Sequence, residues 1–227
     1  MISIGMVIYK DGKFINGLLD NISPYTDDIV IIEQRDFKRD DFMAEKMLWW
    51  QKNHPGVAIS HHITTPKGYG DPDRTTLLAL GRYDWMLMID ADERIPAGIP
   101  FDEIVSKGYD AVNLPMRSLY FEPGSGFEGM SYEQLLTKGK EVNEGYPDWH
   151  PRLLKKGTEW PADVHNRPQF RRIFNAEGYD MLHLKTYEAQ LAKNKKYAEM
   201  FPEWAARLDG HCRYVQQQLG LPIVGLQ

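Results

Sequence analysis

Three acids crowd one short stretch of the chain, Asp90, Asp92 and Glu93, within Trp85-Met-Leu-Met-Ile-Asp-Ala-Asp-Glu-Arg94. Asp90 and Asp92 are two residues apart, so on an extended backbone both side chains leave on the same side. Two carboxylates held so close repel each other unless a cation sits beside them. Oxygen ligands of this kind suit Mg²⁺ or Mn²⁺, and Mg²⁺ commonly takes one or two carboxylates together with substrate phosphates. Acid pairs also occur in plain surface turns and helix caps. This pair differs in having five apolar residues running straight into it and a third acid beside it.

Those five residues read as a buried strand, and in an open α/β sheet ligands bind outside the carboxyl ends of the strands. The preceding sequence supplies such a sheet. Ile2 to Tyr9, Asp28 to Glu33 and Val57 to Ile63 are strand-like, and the IVII run inside the second suits a strand covered on both faces. Between them, Lys13 to Asn21 spaces Phe14, Leu18 and Ile22 at helical intervals, and Asp40 to Asn53 does the same with Met43, Met47 and Trp50. Pro66 to Asp73 reads as a loop, and Arg74 to Leu80 as a short helix. Strands alternating with helices predict βαβ units, a mixed, mainly parallel sheet flanked by helices. The second half is less regular. Ala111 to Phe121 is a long strand that bends near Pro115, and 122–147 is a loop broken by a helix near Tyr132 to Leu136. Pro151 to Lys155, Val164 to Phe170 and Tyr179 to Leu184 are further strands. From Thr186, a suitable N-cap, the chain turns helical. We expect one domain over 1–227, with a nucleotide-binding half (1–95), an acceptor half (96–185) and C-terminal helices (186–227).

Bulk properties narrow the class. The chain has 227 residues and one cysteine, Cys212, so neither a disulfide framework nor a cysteine-based zinc site is available. With 27 basic and 32 acidic side chains, a formal net charge of −5, overall charge does not hold it to nucleic acid, although a local basic groove stays open. No run of about 18 apolar residues predicts a membrane span, and Met1 to Tyr9 lacks a basic leader region. A soluble, cytoplasmic protein is expected.

The order of these features resembles family 2 glycosyltransferases of the GT-A (Rossmann-like) fold, in particular small bacterial and phage members related to lipopolysaccharide-core transferases. The resemblance rests on Trp85, Leu87 and the string Asp90-Ala-Asp-Glu93, and on Asp27-Asp-Ile-Val30. It rests also on a Gly-containing loop and a helix opened by Arg74, on Arg152-Leu-Leu-Lys-Lys156 followed by Trp160 and Val164-His-Asn166, and on Leu182-His183 before a helix with Lys195, Lys196 and Tyr197. It spans roughly residues 2 to 200. The chain departs from the pattern in three places: Tyr9-Lys10-Asp11 replaces an Asn-Glu pair, Glu33 stands where Asp is usual, and Asn166 where Glu is usual.

The resemblance implies a nucleotide-diphosphate sugar as donor, UDP-sugar favoured, held through Mn²⁺ or Mg²⁺, and transfer to an acceptor hydroxyl with inversion. It implies Asp90 on ribose or metal, Asp92 on the metal, and a third ligand from His183 or, second, His165. Glu33 either accepts hydrogen bonds from the base or ribose or only caps its strand. Arg74 is placed to steady the diphosphate, because guanidinium binds phosphate bidentately, and Arg152 and Lys155 either do the same or line the acceptor side. Deprotonating the acceptor needs a base, for which Asp148, Glu93 and Asp163 are the candidates. Trp149 and Trp160 either stack on a sugar or base or pack in the core. Saccharide, protein and modified DNA base are all open as acceptors. Two other classes remain: a nucleotidyltransferase or other phosphate-handling enzyme, and a non-catalytic nucleotide-sugar-binding module. Tyr9-Lys-Asp-Gly-Lys13 is too slight for a nucleotidyltransferase loop, and Asp90 falls too late for a dehalogenase-type phosphatase.

Overall fold

The computed structural model describes residues 1–9, 12–35, 42–66, 71–161, 168–223 and 225. The alternation expected of the first half is present: β1 (Ser3–Ile8), α1 (Ile15–Ile22), β2 (Asp28–Gln34), α2 (Phe42–Asn53), β3 (Ala58–Thr64), α3 (Asp71–Leu80) and β4 (Trp85–Met88). Then follow β5 (Glu93–Arg94), α4 (Phe101–Ser106), β6 (Ala111–Tyr120), α5 (Tyr132–Lys138), β7 (Lys140–Val142) and β8 (Asp148–Lys155). The chain closes with β9 (Ile173–Asn175), β10 (Met181–Lys185), α6 (Tyr187–Met200) and α7 (Ala205–Leu219). Helix α3 opens at Asp71, three residues before the basic residue expected to start it, and the strand expected over Val164 to Phe170 falls largely outside the described residues.

The sheet runs β3-β2-β1-β4-β8-β6-β10-β5, with β7 and β9 added to β6. Pairing is parallel across β3, β2, β1 and β4 and between β6 and β10, whereas β8 is antiparallel to both β4 and β6. This is the expected α/β, mixed and mainly parallel sheet with helices on its faces and a helical C-terminal segment. Strand β2 shows why IVII is needed. Ile29 and Ile31 enter the core with α1 and α2, while Val30 and Ile32 turn to the other face with Leu77 and Leu78 of α3. The order reverses at β1, which has β2 on one side and β4 on the other. The carboxyl ends of β1 and β4 therefore flank a crevice.

Strand β6 runs unbroken through Pro115. Pro115 falls between the stretch that pairs with β9 (Ala111 to Asn113) and the stretch that pairs with β10 (Met116 to Tyr120), where no ladder N–H is needed on that side. The irregularity lies on the neighbouring strand. Val112 faces Leu153 and Asn113 faces Pro151, which leaves Arg152 as an extra, bulged residue on β8.

The C-terminal helices are fastened by a small apolar cluster, in which Val215 of α7 packs with Tyr120 and Val142, and by a chain of polar contacts. In α6 only Asn194 is buried. Its amide donates to His211 Nδ1 at 3.1 Å and to Cys212 Sγ at 3.1 Å, both on α7. His211 Nε2 donates to Glu144 at 2.7 Å, which also accepts from Tyr120 at 2.8 Å and pairs with Lys185 of β10. Burial disfavours the Glu144 anion, but His211 and Lys185 outweigh it and hold the carboxyl well below its usual range. A depressed acid contributes stability above its unfolded pKa, 4.5, and loses it as pH falls through the folded value. We therefore expect Glu144→Gln to cost about 3 kcal/mol at neutral pH. That deficit should shrink steadily below pH about 4.5 when both proteins are melted across a pH series; a deficit independent of pH would contradict the assignment.

Candidate active site

The acids emerge where β4 ends, and two guanidiniums organise them. Glu93 is 1% exposed and folds back: its carboxylate accepts from the Asp90 N–H at 2.8 Å and from Arg152 Nη2. Asp90 stands between two cations, Arg74 Nη2 at 3.3 Å and Arg152 Nη1 at 3.5 Å. The bulge at Arg152 aims its side chain at this group, a common use of a bulge beside a site. Asp92 turns toward β10, where its Oδ2 lies 3.3 Å from His183 Nε2. That contact follows from sheet pairing, since β10 runs antiparallel to β5 with His183 opposite Glu93, and Leu184 N–H donates to the Asp92 carbonyl at 2.7 Å.

Burial works against the Asp90 anion, but Arg74 and Arg152 hold its carboxyl well below the usual range. Asp92 is half-buried; desolvation works against its anion too, and His183 draws its carboxyl below the usual range. Glu93 moves the other way: burial pushes it up to about 8 against the pull of Arg152, with Asp90 and Asp92 adding to the rise. Burial, then Lys185, lower the His183 pKa despite Asp92, so the imidazole is neutral at pH 7 and suited to ligation.

Asp92 and His183 thus offer one carboxylate oxygen and one neutral nitrogen, turned toward each other. Among the described residues no group of three or more His, Cys, Asp or Glu is arranged for a metal ion. The donor set fits a divalent cation whose remaining ligands come from water and a bound phosphate, the usual mode for Mg²⁺. His183 Nδ1 is buried with no hydrogen-bond partner among the described residues.

The other expected site residues divide. Arg74 belongs to the cluster, and its guanidinium lies 5.0 Å from the Trp160 ring, so Trp160 supports an arginine instead of stacking on an open face. Thr75 locks that arrangement by exchanging hydrogen bonds with the Trp160 backbone at 2.9 and 3.1 Å. Glu33 lies at the carboxyl end of β2, bound to Arg35 at 2.9 Å and His61 at 2.9 Å. Asp148 stands on β8 opposite Met116, its side chain 44% exposed, and accepts from His150 at 2.7 Å. Two expectations are corrected. Lys155 pairs with Trp85 at the start of β4, the opposite end from the acids, and faces Asp110 at 3.6 Å, so it does not join the site. Glu93 is enclosed, so it braces the acid turn and is not presented to an incoming hydroxyl. Asp163 and His165 lie outside the described residues.

Two residues that the sequence reading passed over matter here. His150 is the partner of Asp148, two residues on along the same strand. Arg94, fully buried, donates to four backbone carbonyls, those of Ala91, Glu93, Phe14 and Glu128 at 2.7 to 3.2 Å. Its only signal in the sequence is a charge directly after the acids and before Ile95.

No family model matches the chain, and no curated protein sequence does. Solved structures do. The first 349 residues of TarS from S. aureus superpose with a TM-score of 0.53 at 14% identity, covering 96% of this chain and 71% of that one. A mannosyltransferase from Pyrobaculum calidifontis, solved with GDP-Man and Mn²⁺, gives 0.54 at 15% identity, covering 96% and 70%. GalNAc-T7, solved with UDP, GalNAc and Mn²⁺, gives 0.56 at 10% identity, covering all of this chain and 52% of that one. The class defined by these neighbours is the GT-A glycosyltransferase fold, and this chain has that fold.

Gly17 of α1 is what allows Arg94 its position. A Cβ there would come within 2.2 Å of the Glu128 carbonyl oxygen and 2.8 Å of Arg94 Nη2. Gly17→Ala should cost about 1–3 kcal/mol by overpacking, whereas Gly56→Ala, with nothing within 4 Å, should be nearly neutral. Paired denaturant titrations check this, and equal midpoints would refute the close-packing account.

Proposed function

We propose that the protein is a metal-dependent glycosyltransferase that moves a sugar from a nucleotide-diphosphate sugar, UDP-sugar by preference, to an acceptor hydroxyl with inversion. The observation that carries this reading is the convergence, at the carboxyl end of β4, of Asp92 against His183 and of Asp90 between Arg74 and Arg152. The fold shared with glycosyltransferases supports it.

In this reading Asp92 and His183 hold Mn²⁺ or Mg²⁺, and Asp90 sets the two arginines and faces the ribose. A bound divalent ion supplies Lewis-acid stabilisation of charge on the leaving diphosphate. Arg74, shelved on Trp160, adds a preorganised donor on the same side. Glu33, with Arg35 and His61, walls the nucleoside end of the crevice. Asp148 takes the proton from the acceptor hydroxyl while His150 holds its carboxylate in place. The acceptor oxygen then forms the new bond to the anomeric carbon as the bond from that carbon to the donor phosphate breaks. One displacement gives inversion. The acceptor is a saccharide, a protein or a modified DNA base. The β8 segment carrying Asp148 and His150, with Tyr146 beside it, forms the surface that would meet it.

Nucleoside diphosphate with Mn²⁺ should raise the melting temperature by about 5–10 °C at a hundred times Kd, the size expected for a ligand that binds only the folded state. Asp92→Ala should abolish the part of that gain that depends on Mn²⁺; an undiminished gain would remove Asp92 from the metal site. Slow hydrolysis of UDP-, GDP- and dTDP-sugars, compared side by side with Mn²⁺, then identifies the donor without knowledge of the acceptor.

A further inference from the structure

Helix α2 carries two stripes, and the core uses only one of them. Met43, Met47 and Trp50 recur at helical spacing and are buried, with Trp50 Nε1 donating to Asp20 of α1 at 2.7 Å. Glu45, Leu48, Trp49 and Lys52 follow the i, i+3, i+4, i+7 spacing on the opposite side of the same helix, and all four are exposed. Leu48 is 67% and Trp49 61% exposed, more than any other large apolar side chain described except Met1. An apolar patch rimmed by charges marks an interaction surface, and here the rim has an order. Glu45 lies one turn before the apolar pair and Lys52 one turn after it, and neither makes an ion pair among the described residues.

That order makes the stripe complementary to itself. About the midpoint between Leu48 and Trp49 the pattern E-x-x-L-W-x-x-K is symmetric in position and opposite in charge. When two copies of α2 lie antiparallel across a two-fold axis, Glu45 faces Lys52 of the second copy and Leu48 faces its Trp49. A two-fold interface requires one patch to match itself in this way. A parallel pairing would instead set Glu45 against Glu45 and Lys52 against Lys52. We propose that the outer stripe of α2 is a self-association surface, on which a second copy of this chain docks antiparallel, α2 on α2. The inference uses no site residue and does not depend on the donor reading. A helix of twelve residues is about 18 Å long, so the contact belongs to the small class, below about 1,200 Å² in total. The dimer is therefore weak, with a Kd on the order of tens of micromolar.

The test is sedimentation equilibrium of the full chain from about 1 μM to about 500 μM, which brackets that Kd. The parent protein should pass from monomer to dimer across this range. Trp49→Ala should weaken dimerisation about tenfold, as loss of a central aromatic does, with an unchanged melting temperature because the side chain is exposed. Glu45→Lys and Lys52→Glu should each weaken it about fivefold, since each reversal turns two symmetric attractions into repulsions. The double variant should regain the parent affinity, and a mixture of the two single variants should dimerise more tightly than either alone. A parent chain that stays monomeric throughout overturns the proposal. So does a double variant as weak as the single ones, because the charges then do not face each other. A dimer indifferent to Trp49→Ala overturns it as well. If Ile63→Lys abolishes that dimer, the copies meet instead along β3, the uncharged strand at the end of the sheet, where Ile63 is 48% exposed.

Discussion

Two buried guanidiniums at the end of β4 fix almost everything around them. Arg94 is enclosed with no carboxylate in direct contact among the described residues, and burial lowers its pKa to about 10, so it remains a cation at neutral pH. An unsolvated charge is tolerated in a protein interior only when its hydrogen bonds are met. Four carbonyls meet those of its two terminal nitrogens here, drawn from the acid turn, the residue preceding α1, and the 3₁₀ turn Phe127–Gly129, while its Nε has no partner among the described residues. Pieces of chain far apart in sequence are thereby held at one point. Arg152 plays the complementary part on the outer side of the turn, joining Glu93 and Asp90 across from β8. Between them the two arginines give the acid turn a single conformation, so that Asp92 is the acid turned toward His183.

This arrangement divides labour among acids that look equivalent in the sequence. Glu93 is inside and structural, Asp90 is bracketed by cations, and Asp92 is paired with a neutral imidazole. The difference arises from which strand each one meets: β8 supplies a guanidinium, β10 an imidazole. On the outer side, α6 is held to α7 by hydrogen bonds through Asn194. The second half of the chain therefore does more than cover the sheet. It decides the electrostatic character of each acid delivered by the first half.

The elements of the first half were legible because each has a clear period. The IVII run of β2 and the Met43, Met47, Trp50 stripe of α2 state their burial directly, and all seven are buried. The short pieces were not legible: β5 has two residues and β9 three, too few for any period, and both exist through pairing with distant strands. At the site, Asp92 and His183, both named from the sequence, lie 3.3 Å apart, and Arg74 lies beside Asp90. Lys155 was misplaced because residue type says nothing about strand direction. With β8 antiparallel to β4, moving three residues from Arg152 to Lys155 travels away from the acids. Arg94 was missed for a related reason, since its role depends on contacts with chain 34 and 80 residues away.

The distance in sequence between the acids and their partners has a consequence for the chain as it is made. Asp92 and His183 are 91 residues apart, and Glu93 and Arg152 are 59 apart. A nascent chain that has just exposed Trp85 to Ile89 presents an apolar segment that cannot yet find β8. The three acids that follow it are at that moment unpaired by Arg152 and His183, and like charges at the end of an apolar strand discourage it from pairing with another copy of itself. The carboxylates thus serve the unfinished chain as gatekeepers before they serve the finished fold.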